Sequence, residues 1–227
     1  MSKFWCCMPA VVVVLAGSVN AAPVDCAPAA PLLVTTVSGS YNPSGFGGPS
    51  ISCGPITFSN WQAVDASGGN TTGLPLALVS PSYWDAAIGV ANLSFNPNFG
   101  LPAVQDIHLY FTVASTVPIT AIDLGVGGTS SSITERACTG GIDPGSGNCL
   151  GSTLAVGTNF SGLPDQVLPL STPSTSFQIF KDINKGANGE LTSFTQSFTS
   201  SVPEPATLSL IGKGLLGLGF FRRKRRS

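Results

Sequence analysis

The chain of 227 residues is 43% hydrophobic and only 9% charged. Between Ala22 and Ser201 three basic side chains stand against ten acidic ones, a net charge of −7 that the −1 of the whole chain conceals. An acidic body excludes nucleic acid as a partner, since phosphates need a basic surface, and its length of about 180 residues allows one domain with a sizeable core.

Residues 1–21 predict a secretory signal peptide. Lys3 gives the positive start, residues 10–16 (AVVVVLA) the apolar centre, and Val19-Asn20-Ala21 a small-residue cleavage site before Ala22. Cys6 and Cys7 fall in this removed segment. The body keeps Cys26, Cys53, Cys138 and Cys149. Outside the reducing cytoplasm an even number predicts disulfides, and four cysteines allow three connectivities. The pairs Cys26–Cys53 and Cys138–Cys149 are favoured because each closes a local loop rich in Gly and Pro. Each such loop is worth about 3 kcal/mol by chain entropy. The spacings are too wide for a zinc ribbon, so no metal is expected at the cysteines.

Strand-like runs follow at residues 32–37, 56–61, 74–79 and 88–95. The clearest period of two is Ile107-His108-Leu109-Tyr110-Phe111-Thr112-Val113, with Ile, Leu, Phe and Val on one face. Residues 119–126 follow Pro118 after a short connection, which predicts a hairpin. Residues 177–181 and 191–198 flank a Gly/Asn-rich segment, 182–190, and predict another. Long helical periodicity is absent and turn signals recur at short intervals. The reading is all-β: a jelly-roll-like β-sandwich.

Candidate chemistry in the body is sparse. His108, the only histidine, falls beside Tyr110 and Thr112 on the face opposite the apolar one and is read as a surface side chain. No Gly-x-Ser-x-Gly elbow accompanies it. Paired carboxylates for glycoside hydrolysis would come from Glu135, Glu190 and the aspartates, none of which sits in a telling motif. The oxygens of Asp182, Asn184 and Asn188 resemble part of a calcium loop. Gly186 and Gly189, however, occupy positions where an EF-hand needs a ligand and an apolar residue, so Asn-Gly hairpin chemistry is the simpler reading. Tyr41, Trp61, Tyr83 and Trp84 are expected to serve the core before any sugar. No catalytic residue, metal ligand or cofactor is assigned.

The chain closes on VPEP-ATLSLIGKGLLGLGFF-RRKRRS. Pro203 and Pro205 prevent a helix from entering from upstream. An apolar run, broken only by Lys213, predicts a short transmembrane helix. Arg222, Arg223, Lys224, Arg225 and Arg226 form a basic stop that stays in the cytoplasm. Val202, Pro203, Glu204 and Pro205, with this run and stop behind them, resemble the PEP-CTERM sorting signal. Lys213 departs from the usual apolar or small residue there. The resemblance extends faintly into the body, through Ser52-Cys53-Gly54 followed by Thr57-Phe58-Ser59-Asn60-Trp61, Ile133-Thr134-Glu135 before Cys138, and Lys181-Asp182-Ile183 before Ser193-Phe194-Thr195-Gln196.

The resemblance implies processing by an exosortase, a membrane-bound transpeptidase-like enzyme of Gram-negative bacteria that make extracellular polysaccharide. Three segments are therefore expected: the signal peptide at 1–21, a secreted β-domain at 22–201 and a sorting anchor at 202–227. The precursor would be anchored in the inner membrane, and the product would reach the cell surface or a biofilm matrix. The expected role is a non-enzymatic surface or matrix protein associated with polysaccharide. The competing expectation is a secreted carbohydrate-active hydrolase.

Overall fold

A computed structural model describes residues 22–26, 32–38, 50–66, 75–97, 105–143 and 146–201. The expected signal peptide at 1–21 and the expected sorting anchor at 202–227, with Val202, Pro203, Glu204, Pro205 and Arg222 to Arg226, lie outside these residues. Among the described residues every regular element is a strand, and no helix is long and apolar enough to cross a membrane.

Nine strands form one sheet: β1 (Val24–Asp25), β2 (Leu32–Ser38), β3 (Ile51–Cys53), β4 (Ile56–Asp65), β5 (Pro75–Asp85), β6 (Val90–Pro97), β7 (Gln105–Cys138), β8 (Thr153–Phe160) and β9 (Gln166–Ser200). The path runs β3-β4-β2-β5-β6-β9-β7-β8, and a further β4–β7 pairing nearly closes it on itself. Only β2 and β4 pair in parallel; the other ladders are antiparallel.

The length of β7 and β9 corrects two expectations. Neither predicted hairpin forms. Residues 105–114 of β7 do not fold back on residues 119–128; both arms pair with β9 instead. Within β9, residues 176–185 pair on one side with 105–114 and on the other with 131–138. Residues 191–200 pair with β6 and with 119–128. Val117-Pro118 and the 186–189 segment are therefore corners at which a strand bends and keeps its long partner. The turn chemistry is present, with Asn188 in the left-handed region at φ 61°, but it bulges the strand and does not reverse it.

The corner of β7 depends on one glycine. Gly128 has φ 117°, and a Cβ there would sit 1.9 Å from the backbone oxygen of Glu190. Gly128→Ala is expected to cost at least about 1–3 kcal/mol in denaturant unfolding, from backbone strain alone. An unchanged midpoint would show that the corner does not need glycine.

Curling the sheet brings alternate side chains into one core. Phe58 and Trp61 from β4 and Phe111 from β7 meet Phe95 from β6 and Phe194 and Phe198 from β9, all buried. Trp61 stacks on Phe111 at 4.6 Å, Phe95 on Phe194 at 4.5 Å, and Phe58 lies 4.9 Å from Phe198. Trp61 is thus a core residue, as expected. Both favoured disulfides form, Cys26–Cys53 and Cys138–Cys149, spanning 27 and 11 residues. The first ties Cys26, just after β1, to the buried Cys53 of β3 at the edge of this core, with Trp84 half-buried against the same core.

A second, smaller cluster lies on the outer face. Val64, Tyr110, Cys138, Ile142 and Phe180 are buried there with Cys149 packed against them. The cover is the segment between Cys138 and Cys149, tied down by its disulfide and by the Ile142↔Cys149 bridge. Asp143 Oδ1 accepts hydrogen bonds from the Ser146 amide and hydroxyl at 2.7 and 2.8 Å, and Arg136 donates to the Gly147 carbonyl at 3.0 Å. Gly147 is held so close to the Phe180 ring that a Cβ there would lie 2.5 Å from it.

Candidate functional site

Cross-strand register sets the chemistry of the outer face. Residues directly opposite in an antiparallel ladder share a face, and here three neighbouring strand segments contribute rows. His108 faces Asp182, which faces Thr134; Asp106 faces Asn184, which faces Ser132; Tyr110 faces Phe180, which faces Arg136. The alternation at residues 107–113 puts His108 on this outer side, as predicted, while Ile107, Leu109, Phe111 and Val113 are fully or almost fully buried inside.

Asp106, His108 and Asp182 converge, each offering a ligand atom within 4.8 Å of the other two. His108 Nε2 stands 3.6 Å from Asp106 Oδ1, with the two side chains 25% and 33% exposed. The imidazole meets the Phe180 ring edge-on at 5.1 Å and Tyr110 at 6.4 Å, so the covered aromatic cluster walls the site on one side. Burial, and then the neighbouring Asp182 carboxylate, push the Asp106 carboxyl above its ordinary range, while His108 pulls it partly back.

Past Asn184 the same face runs into a cleft of about 410 Å³ lined by Ser130, Ser131, Ser132, Phe160, Ser161, Asn184 and Gly186. Phe160 is half exposed beside these hydroxyls, and Ser130 adopts φ 50° at the rim.

A different polar group lies inside. Glu135 and Lys181 are direct cross-strand partners, both fully buried, with Nζ 3.2 Å from Oε2. Lys181 also donates to Gln196 on another arm of β9 and lies 5.7 Å above the Phe194 ring. Burial dominates both groups: it raises the Glu135 pKa against the opposing pull of Lys181, and lowers that of Lys181 against Glu135. Fully buried, this pair ties β7 to β9 inside the sheet.

Several of these residues escaped sequence reading. Asp106 and His108 are two apart and visibly on one face, but Asp182 joins them only through the β7–β9 register. The buried pair did leave a signal. Lys181 is in phase with Ile179 and Ile183, and Glu135 with Ile133 and Ala137, so two charges of opposite sign occupy apolar phases. Trp84 and Tyr83 lie on β5 away from this face. The cysteines are where the sequence put them.

The body is thus an all-β unit clasped by two disulfides, a construction suited to an oxidising compartment. Residues 201–226 match the model of the PEP-CTERM protein-sorting motif. The chain carries the signal of exported surface proteins that exosortase processes. No curated protein matches the chain significantly.

Proposed function

We propose that this protein is a non-enzymatic component of the cell surface or biofilm matrix, held by association with extracellular polysaccharide after its tail is removed. The observation that carries the reading is the sorting motif behind a disulfide-clasped, acidic β-body. The apolar run at 206–221 would anchor the precursor in the inner membrane of a Gram-negative cell, with Arg222 to Arg226 on the cytoplasmic side. The curled sheet is read as a jelly-roll-like layering of two β faces. The non-enzymatic role is supported by the burial of Glu135, one of the body's two glutamates, on Lys181. The hydroxyl-rich cleft with its half-exposed Phe160 suits a sugar ring, which stacks on an aromatic face while hydroxyls pair with its rim.

The sorting step is tested by intact mass. In a host carrying its exosortase, the surface form is expected to lack both the signal peptide and the tail, and to be four hydrogen atoms lighter than the same processed chain fully reduced. Replacing Pro203 and Pro205 by Ala, or Glu204 by Ala, should leave the full tail in place and the protein in the membrane. A wild-type surface form that still contains Arg222 to Ser227 would refute processing. For the matrix role, the purified protein should bind glycans on an array without releasing reducing ends. Release would hand the assignment to a carbohydrate-active hydrolase.

A further inference from the structure

We infer that Asp106, His108 and Asp182 form a binding site for a divalent first-row metal ion, with Zn²⁺ or Mn²⁺ the class that the donor set fits. The site is independent of the sorting signal and of any polysaccharide contact.

The donors are of mixed type. One imidazole nitrogen and two carboxylate oxygens suit borderline divalent ions better than Ca²⁺, which prefers an all-oxygen shell. All three atoms already lie within 4.8 Å of one another, so one ion can reach them with small rotamer changes. The three positions are fixed by sheet ladders: Asp106 and His108 by β7, Asp182 by β9 as the direct partner of His108. Such backbone placement favours a preformed site over a surface coincidence.

A second observation comes from the oxygens themselves. Oδ1 of Asp106 and Oδ1 of Asp182 are both shielded from solvent and accept no hydrogen bond from an N–H or hydroxyl donor among the described residues; the two carboxyls lie within hydrogen-bond reach of each other, and Asp106 Oδ1 stands 3.6 Å from His108 Nε2. Shielded carboxylate oxygens without donors are costly. Two carboxylates in contact repel each other unless a proton or a cation lies between them. A divalent ion would satisfy both oxygens at once and remove the repulsion between the carboxylates. The hydrophobic wall of Tyr110 and Phe180 excludes water from one side. The partial exposure of His108 and Asp106 leaves an entry path and room for water as a further ligand.

The single histidine makes the test direct. Full-length protein, purified in detergent through a histidine-free tag and stripped with chelator, is titrated with Zn²⁺ and separately with Co²⁺ as a spectroscopic probe. One equivalent is expected to bind, with a visible cobalt band, and ¹⁵N signals of the His108 imidazole should shift on Zn²⁺ addition. His108→Ala and Asp182→Asn should each bind at least about tenfold more weakly, whereas Asp85→Asn, at the end of β5, should match wild type. If a variant misfolds by circular dichroism, the imidazole signals of the wild-type protein decide. Imidazole signals that Zn²⁺ leaves unmoved, or binding undiminished in folded His108→Ala, would overturn the site and reduce any uptake to adventitious surface binding.

Discussion

Lys181→Met is expected to destabilise the body by about 3–5 kcal/mol, while Glu135→Leu combined with Lys181→Met should be neutral or stabilising by up to about 4 kcal/mol. The reason lies in the complete burial of both groups. Each charge is held out of water mainly by its partner, and Gln196 completes the lysine's shell. Removing the lysine leaves the Glu135 carboxylate buried beside Gln196 and within reach of the Asp123 charge, whereas removing both takes out both fully buried charges. Double-mutant denaturant unfolding measures this directly.

The pH dependence adds a second readout. Burial already raises the Glu135 pKa in the folded protein, and loss of Lys181 removes the main charge that opposes it. A carboxyl with a raised folded pKa binds more proton folded than unfolded, so its stability is fully present at low pH and lost as pH rises through the folded pKa. The deficit of Lys181→Met should therefore shrink as pH falls through the folded pKa of Glu135. A deficit below about 1 kcal/mol, or one flat with pH, would mean that water reaches the pair.

Trp61→Ala is expected to cost about 3–5 kcal/mol, the range for emptying a buried aromatic site. Trp61 is 2% exposed and touches both halves of the curled sheet, through Phe111 at 4.6 Å and Phe95 at 6.0 Å. The strands of β4 and β6 are fixed by ladders and cannot collapse into the space. Trp84, half-buried at the margin of the same core, is the internal comparison: its truncation should cost clearly less. Equal losses at both positions, read as shifts of the unfolding midpoint at unchanged slope, would contradict a core centred on Trp61.

How far the sequence could be read depends on whether the deciding physics was local. Alternation over residues 107–113 assigned a strand and its faces correctly, since period two is a property of the segment itself. The cysteine pairs were favoured through short loops, and the loops are short in the structure too. Pro118 and the Asn188-Gly189 step misled for the same reason: left-handed or proline-fixed backbone is needed at a bend as much as at a hairpin, and only the distant partner distinguishes them. Asp182 shows the limit most clearly. Its place beside His108 is set by a ladder between residues 74 apart, and no local pattern encodes that register.

The clasp between Cys138 and Cys149 also acts in time. A reduced chain has only thiols there, so the segment over Tyr110 and Phe180 would lack its covalent pin. Oxidation beyond the membrane locks it. On the proposed reading of export, the outer face would be completed only once the Cys138–Cys149 bridge has formed beyond the cytoplasm.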